Sequence, residues 1–128
     1  MAKFLSDEWM SEADDAVKTD PAFTSAAAGK DLKVQFHVTE IEGVGELDYF
    51  MSIDGGQTQI AKGTLDSPDV TVTSNYDTSA GIAKGEINTQ MAFMTGKIKV
   101  AGNLATLMMH QNVISAWANI SEGMSTEY

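Results

Sequence analysis

The sequence contains no cysteine and no arginine, and only two prolines and two histidines. Without cysteine there is no disulfide framework, no thiol nucleophile and no thiolate metal site. Without arginine there is no bidentate clamp for a phosphate or a carboxylate. All eight basic residues are lysines, set against eighteen carboxylates, for a net charge of −10. Such a domain repels a nucleic-acid backbone. The scattered Trp9, Tyr76 and Trp117 have no interleaved basic residues to make a stacking platform for single strands. Long apolar runs are also missing, so no membrane insertion is expected. The opening MAKFLSDEWMSEADD turns acidic without the apolar core of a secretory leader, and the closing STEY is not a peroxisomal address. These absences lead to the expectation of a soluble cytoplasmic protein, one domain over residues 1–128, long enough for a core of its own.

Catalytic chemistry is equally thin. His37 falls on the outward side of a strand, and His110 lies between two apolar stripes of a helix with no partner at helical metal spacing. No nucleophile elbow of the Gly-x-Ser-x-Gly kind is present. Asp14-Asp15 reads as a solvated helix face, and Glu40 and Glu42 flank a turn. The glycines Gly43, Gly45, Gly55 and Gly56 lie between strands, not at the start of a helix where they would cradle a phosphate. No catalytic residue, metal or cofactor is therefore expected.

What is present is regular patterning. Ser6 caps a helix over 6–18, with Asp7 and Glu8 in its first turn, Leu5 and Met10 as a hydrophobic staple, and Trp9, Ala13, Ala16 and Val17 as its apolar stripe. Asp20-Pro21 restarts the chain as a short helix over 21–28, closed by Gly29. Residues 31–40 alternate, with Leu32, Val34, Phe36 and Val38 inward and Lys33, Gln35, His37 and Thr39 outward. Residues 46–53 alternate again through Leu47, Tyr49, Met51 and Ile53. Asp54-Gly55-Gly56 marks a hairpin to a more polar strand over 57–64, with edge character. A fourth strand, 70–73, follows Ser67-Pro68-Asp69. The period then becomes helical: Asn75 caps a helix to about Lys84, Thr89–Thr95 is a second short helix, Lys97–Ala101 is a strand with Ile98 and Val100 inward, and Asn103 caps a long last helix. A strand block followed by helices around a returning strand predicts an α+β layer, with the last strand pairing in parallel with one it does not follow.

Two features carry functional information. Eight methionines are many for 128 residues, and a flexible, polarizable side chain suits either gap-filling in a core or a compliant pocket wall. The stretch Gln90–Leu107 is apolar apart from Gln90, and it too fits either a core or a cavity wall. A cavity for an apolar ligand needs one or two orienting polar groups, and Gln90 and Gln111 are the uncharged candidates. The last helix carries two stripes. Leu104, Leu107, Met108 and Gln111 lie on one, Met109, Val113, Trp117 and Ile120 on the other. The second stripe needs its own partner: the N-terminal helices, a second subunit or a pocket mouth. If the helix ends near Asn112, the second stripe is an artefact of extrapolating it.

The run Gln90-Met91-Ala92-Phe93-Met94-Thr95-Gly96-Lys97-Ile98-Lys99-Val100-Ala101-Gly102-Asn103-Leu104 resembles the signature of the sterol carrier protein-2 family. That pattern reads Gln-x-Ala-Phe, two residues, Gly-Lys-Leu-Lys-Ile, one residue, Gly-Asn or Gly-Asp, then an apolar helix. Pro68-Asp69-Val70-Thr71-Val72 resembles the family's acidic approach to a strand, and the element order agrees from about Phe4 to Ile120. Thr89 stands where the family pattern has Pro. The resemblance implies an α/β (α+β) fold, a five-stranded mainly antiparallel sheet with helices packed on one face, enclosing an apolar tunnel. It implies binding of a fatty acid, fatty acyl-CoA or sterol-like ligand without catalysis, in a domain that also occurs fused to enzymes such as alkyl sulfatases.

The expected function is therefore non-catalytic lipid binding and transfer, with a lipid or other apolar small molecule as partner and no nucleic acid. The expected tunnel residues are Phe36, Met51, Gln90, Met91, Phe93, Met94, Leu104, Leu107, Met108 and Gln111. The alternative is an interaction module with a filled core, dimerising through Val113, Trp117 and Ile120.

Overall fold

The computed structural model of the chain describes residues 2–128, and of Thr89 and Gln90 the backbone alone. Its order is β1 (Ala2–Lys3), α1 (Asp7–Thr19), α2 (Pro21–Ala27), β2 (Leu32–Ile41), β3 (Gly45–Asp54), β4 (Gln57–Lys62), β5 (Val70–Asn75), α3 (Tyr76–Ala83), α4 (Thr89–Met94), β6 (Ile98–Gly102), α5 (Leu104–Met109), α6 (Gln111–Gly123) and β7 (Thr126–Glu127). The helix starts are set by local chemistry. The side chains of Ser6, Asp20, Asn75 and Asn103 accept from the backbone N–H of Trp9, Phe23, Thr78 and Thr106, and Pro21 sits at the first helical position of α2.

The main sheet has the order β4-β3-β2-β5-β6. Only β2 and β5 pair in parallel; the other three pairs are antiparallel. This corrects the expected parallel pairing of the last strand. β6 forms an antiparallel pair with β5, and the crossover happens earlier, where residues 63–69 carry the chain from edge strand β4 past β3 and β2. That loop lies against the outer face of the sheet and changes the fate of Gln35. Its parity points it outward, yet it is only 7% exposed. Its Nε2 donates to the carbonyls of Tyr49 and Gly63, both at 3.0 Å, and its Oε1 accepts from Leu65 N–H at 2.7 Å. A strand alternation cannot announce that a loop will cover its polar side.

The helices lie on the other face. Trp9, Met10, Ala13 and Val17 of α1, Phe23 and Ala27 of α2, Ala80 and Ala83 of α3, and Val113, Ala116 and Ile120 of α6 pack against Leu32, Val34, Val38, Tyr49, Met51, Ile53 and Ile60. Edge strand β4 is shielded by α1: Asp14 accepts from Ile60 N–H at 2.8 Å while pairing with Lys18, and Asp7 pairs with Lys62. Satisfying an edge N–H with a carboxylate blunts strand addition, so Asp14 is more than the solvated charge its sequence context suggests. At the far edge, Gly102 (φ +106°) lies so close to Asp69 that a Cβ would come within 2.5 Å of its carbonyl oxygen. Asn103 N–H donates to that same oxygen at 2.9 Å, fixing the turn from β6 into α5. The two chain ends meet as a separate parallel pair, β1 with β7.

The expected long last helix is two helices. The break is at His110 (φ −111°, ψ 30°), whose N–H reaches back only to Leu107 and whose ring Nδ1 lies 2.7 Å from the Thr106 carbonyl oxygen. A ring that competes for a main-chain carbonyl ends the regular ladder. α6 then starts without a side-chain cap.

Candidate ligand-binding cavity

Between the sheet and the helices lies a cavity of about 160 Å³. The sheet supplies Leu32, Val34 and Phe36 from β2, Tyr49 and Met51 from β3, Val72 and Ser74 from β5, and Ile98 and Val100 from β6. These are inward positions of each strand, brought level by the register Phe36–Tyr49, Phe36–Val72 and Val72–Val100. The helical side comes from Trp9 of α1, Ser79, Ile82 and Ala83 of α3, Leu107 of α5, and Val113, Ile114, Trp117, Ala118 and Ser121 of α6, with Phe4 at the end.

Aromatic rings make the stiffest part of the wall. Phe36 stacks on Tyr49 at 4.7 Å between centroids, and Trp9 meets Phe4, Tyr49 and Trp117 edge to face. Burial pushes the Tyr49 hydroxyl well above its usual pKa, so it stays protonated. No lining residue carries a charged side chain. The polar side-chain groups of the lining residues are the hydroxyls of Tyr49, Ser74, Ser79 and Ser121 and the indole N–H groups of Trp9 and Trp117; the Ser74 and Ser79 oxygens lie 2.5 Å apart. Such a space binds by shape and apolar area, at roughly 25 cal/mol per Å² removed from water.

Of the ten expected tunnel residues, the structure brings Phe36, Met51 and Leu107 onto this cavity. The side chain of Gln90 lies outside the described residues. Gln111, at the start of α6, is exposed. Met91, Phe93, Met94, Leu104 and Met108 are also exposed, with Met94 at 78% and Met108 at 67%. α5 buries none of its six residues. These side chains, with Met109, are exposed apolar groups on α4 and α5, the helices that precede and follow β6 along the chain.

The stripe expected to dimerise is placed differently. Val113 and Ile120 are buried, and Trp117 packs on Trp9 at 6.2 Å. After the break at His110 this stripe packs inward with the N-terminal helices, and Val113 and Trp117 of it line the cavity. The other seventeen of the twenty lining residues lie outside the expected tunnel set, Trp9, Ile82, Val113, Ile114 and Trp117 among them. Their traces in the sequence are the inward parity of Leu32, Val34, Tyr49, Ile98 and Val100 and the apolar helix stripes that carry Trp9, Val113 and Trp117.

The histidines stand apart. His37 lies on the opposite face of the sheet, its Nδ1 2.5 Å from Asp48 Oδ1 and its Nε2 3.0 Å from Glu46 Oε1. Hydrogen bonds to Asp48 first, then Glu46, raise its pKa against a small opposing desolvation. Among the described residues, no group of three or more His, Asp or Glu side chains could hold a metal ion, and no helix is long and apolar enough to cross a membrane.

Comparison with known proteins fits this geometry. A model of the SCP-2 sterol transfer family matches residues 12–115. The crystal structure of sterol carrier protein 2 superposes with a TM-score of 0.80 at 13% identity, covering 96% of this chain and 100% of the other. The sterol carrier protein domain 2 of Helicoverpa armigera gives 0.68 at 20% identity, over 100% and 99% of the two chains. Palmitated SCP2L2 from Aedes aegypti gives 0.62 at 20% identity, over 81% and 87%. At these identities the structural likenesses speak for the fold. No curated protein sequence matches the chain.

Proposed function

The chain belongs to the SCP-2 sterol transfer family, and from that premise we propose that it is a non-catalytic lipid-binding and transfer protein whose cavity between sheet and helices holds the apolar part of its ligand. The observation that carries this reading is the cavity itself, walled by aromatic and aliphatic side chains with no charge among them. That ligand is a fatty acid, a fatty acyl-CoA or a sterol-like molecule. The palmitated state of the Aedes aegypti protein supports the acyl end of this range.

Size constrains how such a ligand would sit. An engineered cavity of about 150 Å³ accepts a single benzene ring, and the cavity here is about 160 Å³. It takes one ring or a short stretch of acyl chain as it stands. A longer ligand needs the wall to yield, and α5 is the part of the wall with the least to lose: it contributes only the half-buried Leu107 to the cavity and fully buries none of its residues. Displacing it outward would let Leu104, Met108 and Met109 close over the remainder of a ligand, with methionines adapting to its outline.

Mass spectrometry of organic extracts from native, purified protein tests the reading. Recovery of a stoichiometric lipid supports it. Extracts empty of lipid, together with no change in tryptophan emission on adding apolar probes, would sink it, because Trp9 and Trp117 both face the cavity.

A further inference from the structure

The carboxylates of this chain are unevenly placed. All eighteen lie outside Ile87–Ser121, a stretch whose only ionisable side chains are Lys97, Lys99 and His110. The same stretch holds the apolar surface. Of the eight large apolar side chains left exposed among the described residues, six are Met91, Phe93 and Met94 of α4 and Leu104, Met108 and Met109 of α5. Single exposed apolar groups are ordinary, but six on two short helices are not.

The topology sets these groups along one edge of the sheet. β6 is the outermost strand, and α4 and α5 adjoin its two ends. Lys97 N–H donates to the Ala92 carbonyl at 2.8 Å, so α4 runs directly into β6, and the bond from Asn103 N–H to Asp69 holds the start of α5. β6 has five residues, which separates the two helices by roughly 16 Å at about 3.3 Å per residue. Lys99 lies on the strand between them and Lys97 just before it. Both are exposed, and neither pairs with a carboxylate among the described residues. The opposite edge is built the other way: α1 shields β4 and exposes Asp7, Glu8, Glu12 and Asp15.

Apolar side chains mixed with lysines and free of carboxylates suit an anionic lipid surface. Methionine, leucine and phenylalanine can enter the acyl boundary, while lysine stems reach up to the headgroup phosphates. The net charge of −10 does not forbid this, because salt screens the remote carboxylates over about 8 Å. Their repulsion from the surface instead turns the β6 edge towards it. A second copy of this chain fits less well: pairing this edge with itself sets lysines against lysines, with no carboxylate on either side to meet them. α5 also contributes Leu107 to the cavity, so the edge is continuous with the cavity wall.

We infer that α4, β6 and α5 dock this domain peripherally on an anionic lipid surface, the exposed methionines, Phe93 and Leu104 entering the interface and Lys97 and Lys99 meeting the headgroups. The docking goes beyond the ligand reading and does not depend on which molecule fills the cavity.

Co-sedimentation with vesicles tests it, using phosphatidylcholine alone and a mixture of phosphatidylcholine and phosphatidylglycerol. The unaltered protein binds the mixed vesicles, more weakly as salt is raised, and binds phosphatidylcholine at least about tenfold less tightly. Lys97→Glu with Lys99→Glu weakens binding by about twentyfold or more, since one lysine near such a surface is worth about fivefold. Lys30→Glu with Lys33→Glu makes the same change in net charge at exposed positions elsewhere and leaves binding within about threefold. Met94→Gln with Met108→Gln weakens binding at least about tenfold and melts within about 2 °C of the original, because both side chains are mostly exposed. Absence of vesicle binding overturns the inference, and so do equal losses in the two lysine pairs or no loss in the methionine pair. Self-association that the methionine pair abolishes, without vesicle binding, overturns it too and assigns the edge to a second copy. Each of these failures leaves the ligand reading standing, because lipid extraction tests that separately.

Discussion

Replacing Val72 by Phe should fill the cavity from its sheet side. Val72 lies on β5, opposite Phe36 and Val100 in the two flanking strands, and points into the cavity. The space is about 160 Å³, close to what one benzene ring occupies in an engineered cavity of about 150 Å³. The added phenyl group therefore has somewhere to go. An empty cavity carries a penalty of roughly 24 cal/mol per Å³, which for about 160 Å³ sets an upper bound near 4 kcal/mol on what filling can recover. Adjusting the Phe36 and Tyr49 stack subtracts about 1–3 kcal/mol of packing strain. The expected net effect on the empty protein is between zero and about +2 kcal/mol, or a melting temperature unchanged to roughly 6–8 °C higher. Ligand affinity, in contrast, should fall by more than tenfold, because the ring occupies the binding volume. Scanning calorimetry of delipidated protein and titration with 1-octanol measure the two effects. A variant that binds as tightly as the original would show that the ligand is elsewhere. A variant that folds but melts about 10 °C lower would show that the space is not available.

Three further outcomes are expected. Met108→Trp should leave probe affinity within about twofold, because Met108 is 67% exposed, whereas Leu107→Trp should weaken it several-fold; equal effects in a fluorescence titration would contradict the placement of α5. Gln35→Ala should cost about 2–4 kcal/mol in urea unfolding, since it strands Leu65 N–H and the Gly63 carbonyl beneath the crossing loop, and a loss below about 0.5 kcal/mol would argue against the loop's placement. His37 has a raised pKa in the fold, through Asp48 first and Glu46 second, so its stabilising contribution is complete below its unfolded value of about 6.5 and is lost as pH rises through the folded value. His37→Gln should therefore reduce stability more at pH 5.5 than at pH 8.5, and an equal loss at both would dispose of the charge-assisted pairing.

Local signals that depend on near neighbours were legible. The caps at Ser6, Asp20, Asn75 and Asn103, the alternation of 31–40 and 46–53, and the Asp54-Gly55-Gly56 hairpin all rest on hydrogen bonds or parity within a few residues, and the structure keeps each of them. The motif around Gln90 led to the family, which the match over residues 12–115 shows. Illegible was anything fixed by segments distant along the chain. The burial of Gln35 needs the 63–69 loop, and the edge bond of Asp14 needs β4. The inward turn of Val113, Trp117 and Ile120 needs the break at His110, where one ring nitrogen near one carbonyl outweighs a long apolar period.

The sequence by itself thus determined most of the elements between Asp7 and Gly102, the apolar inner face of the sheet and the absence of cysteine and arginine chemistry, because those follow from composition and from contacts a few residues long. The tertiary structure alone decided which apolar side chains became cavity wall. Trp9 and Trp117 meet only when α1 and α6 pack together, and Met91, Met94 and Met108, as apolar as any of the wall residues, are left outside. Periodicity records that a side chain avoids water; whether it does so in a packed core, around an empty space or on an exposed helix depends on where the neighbouring elements stop.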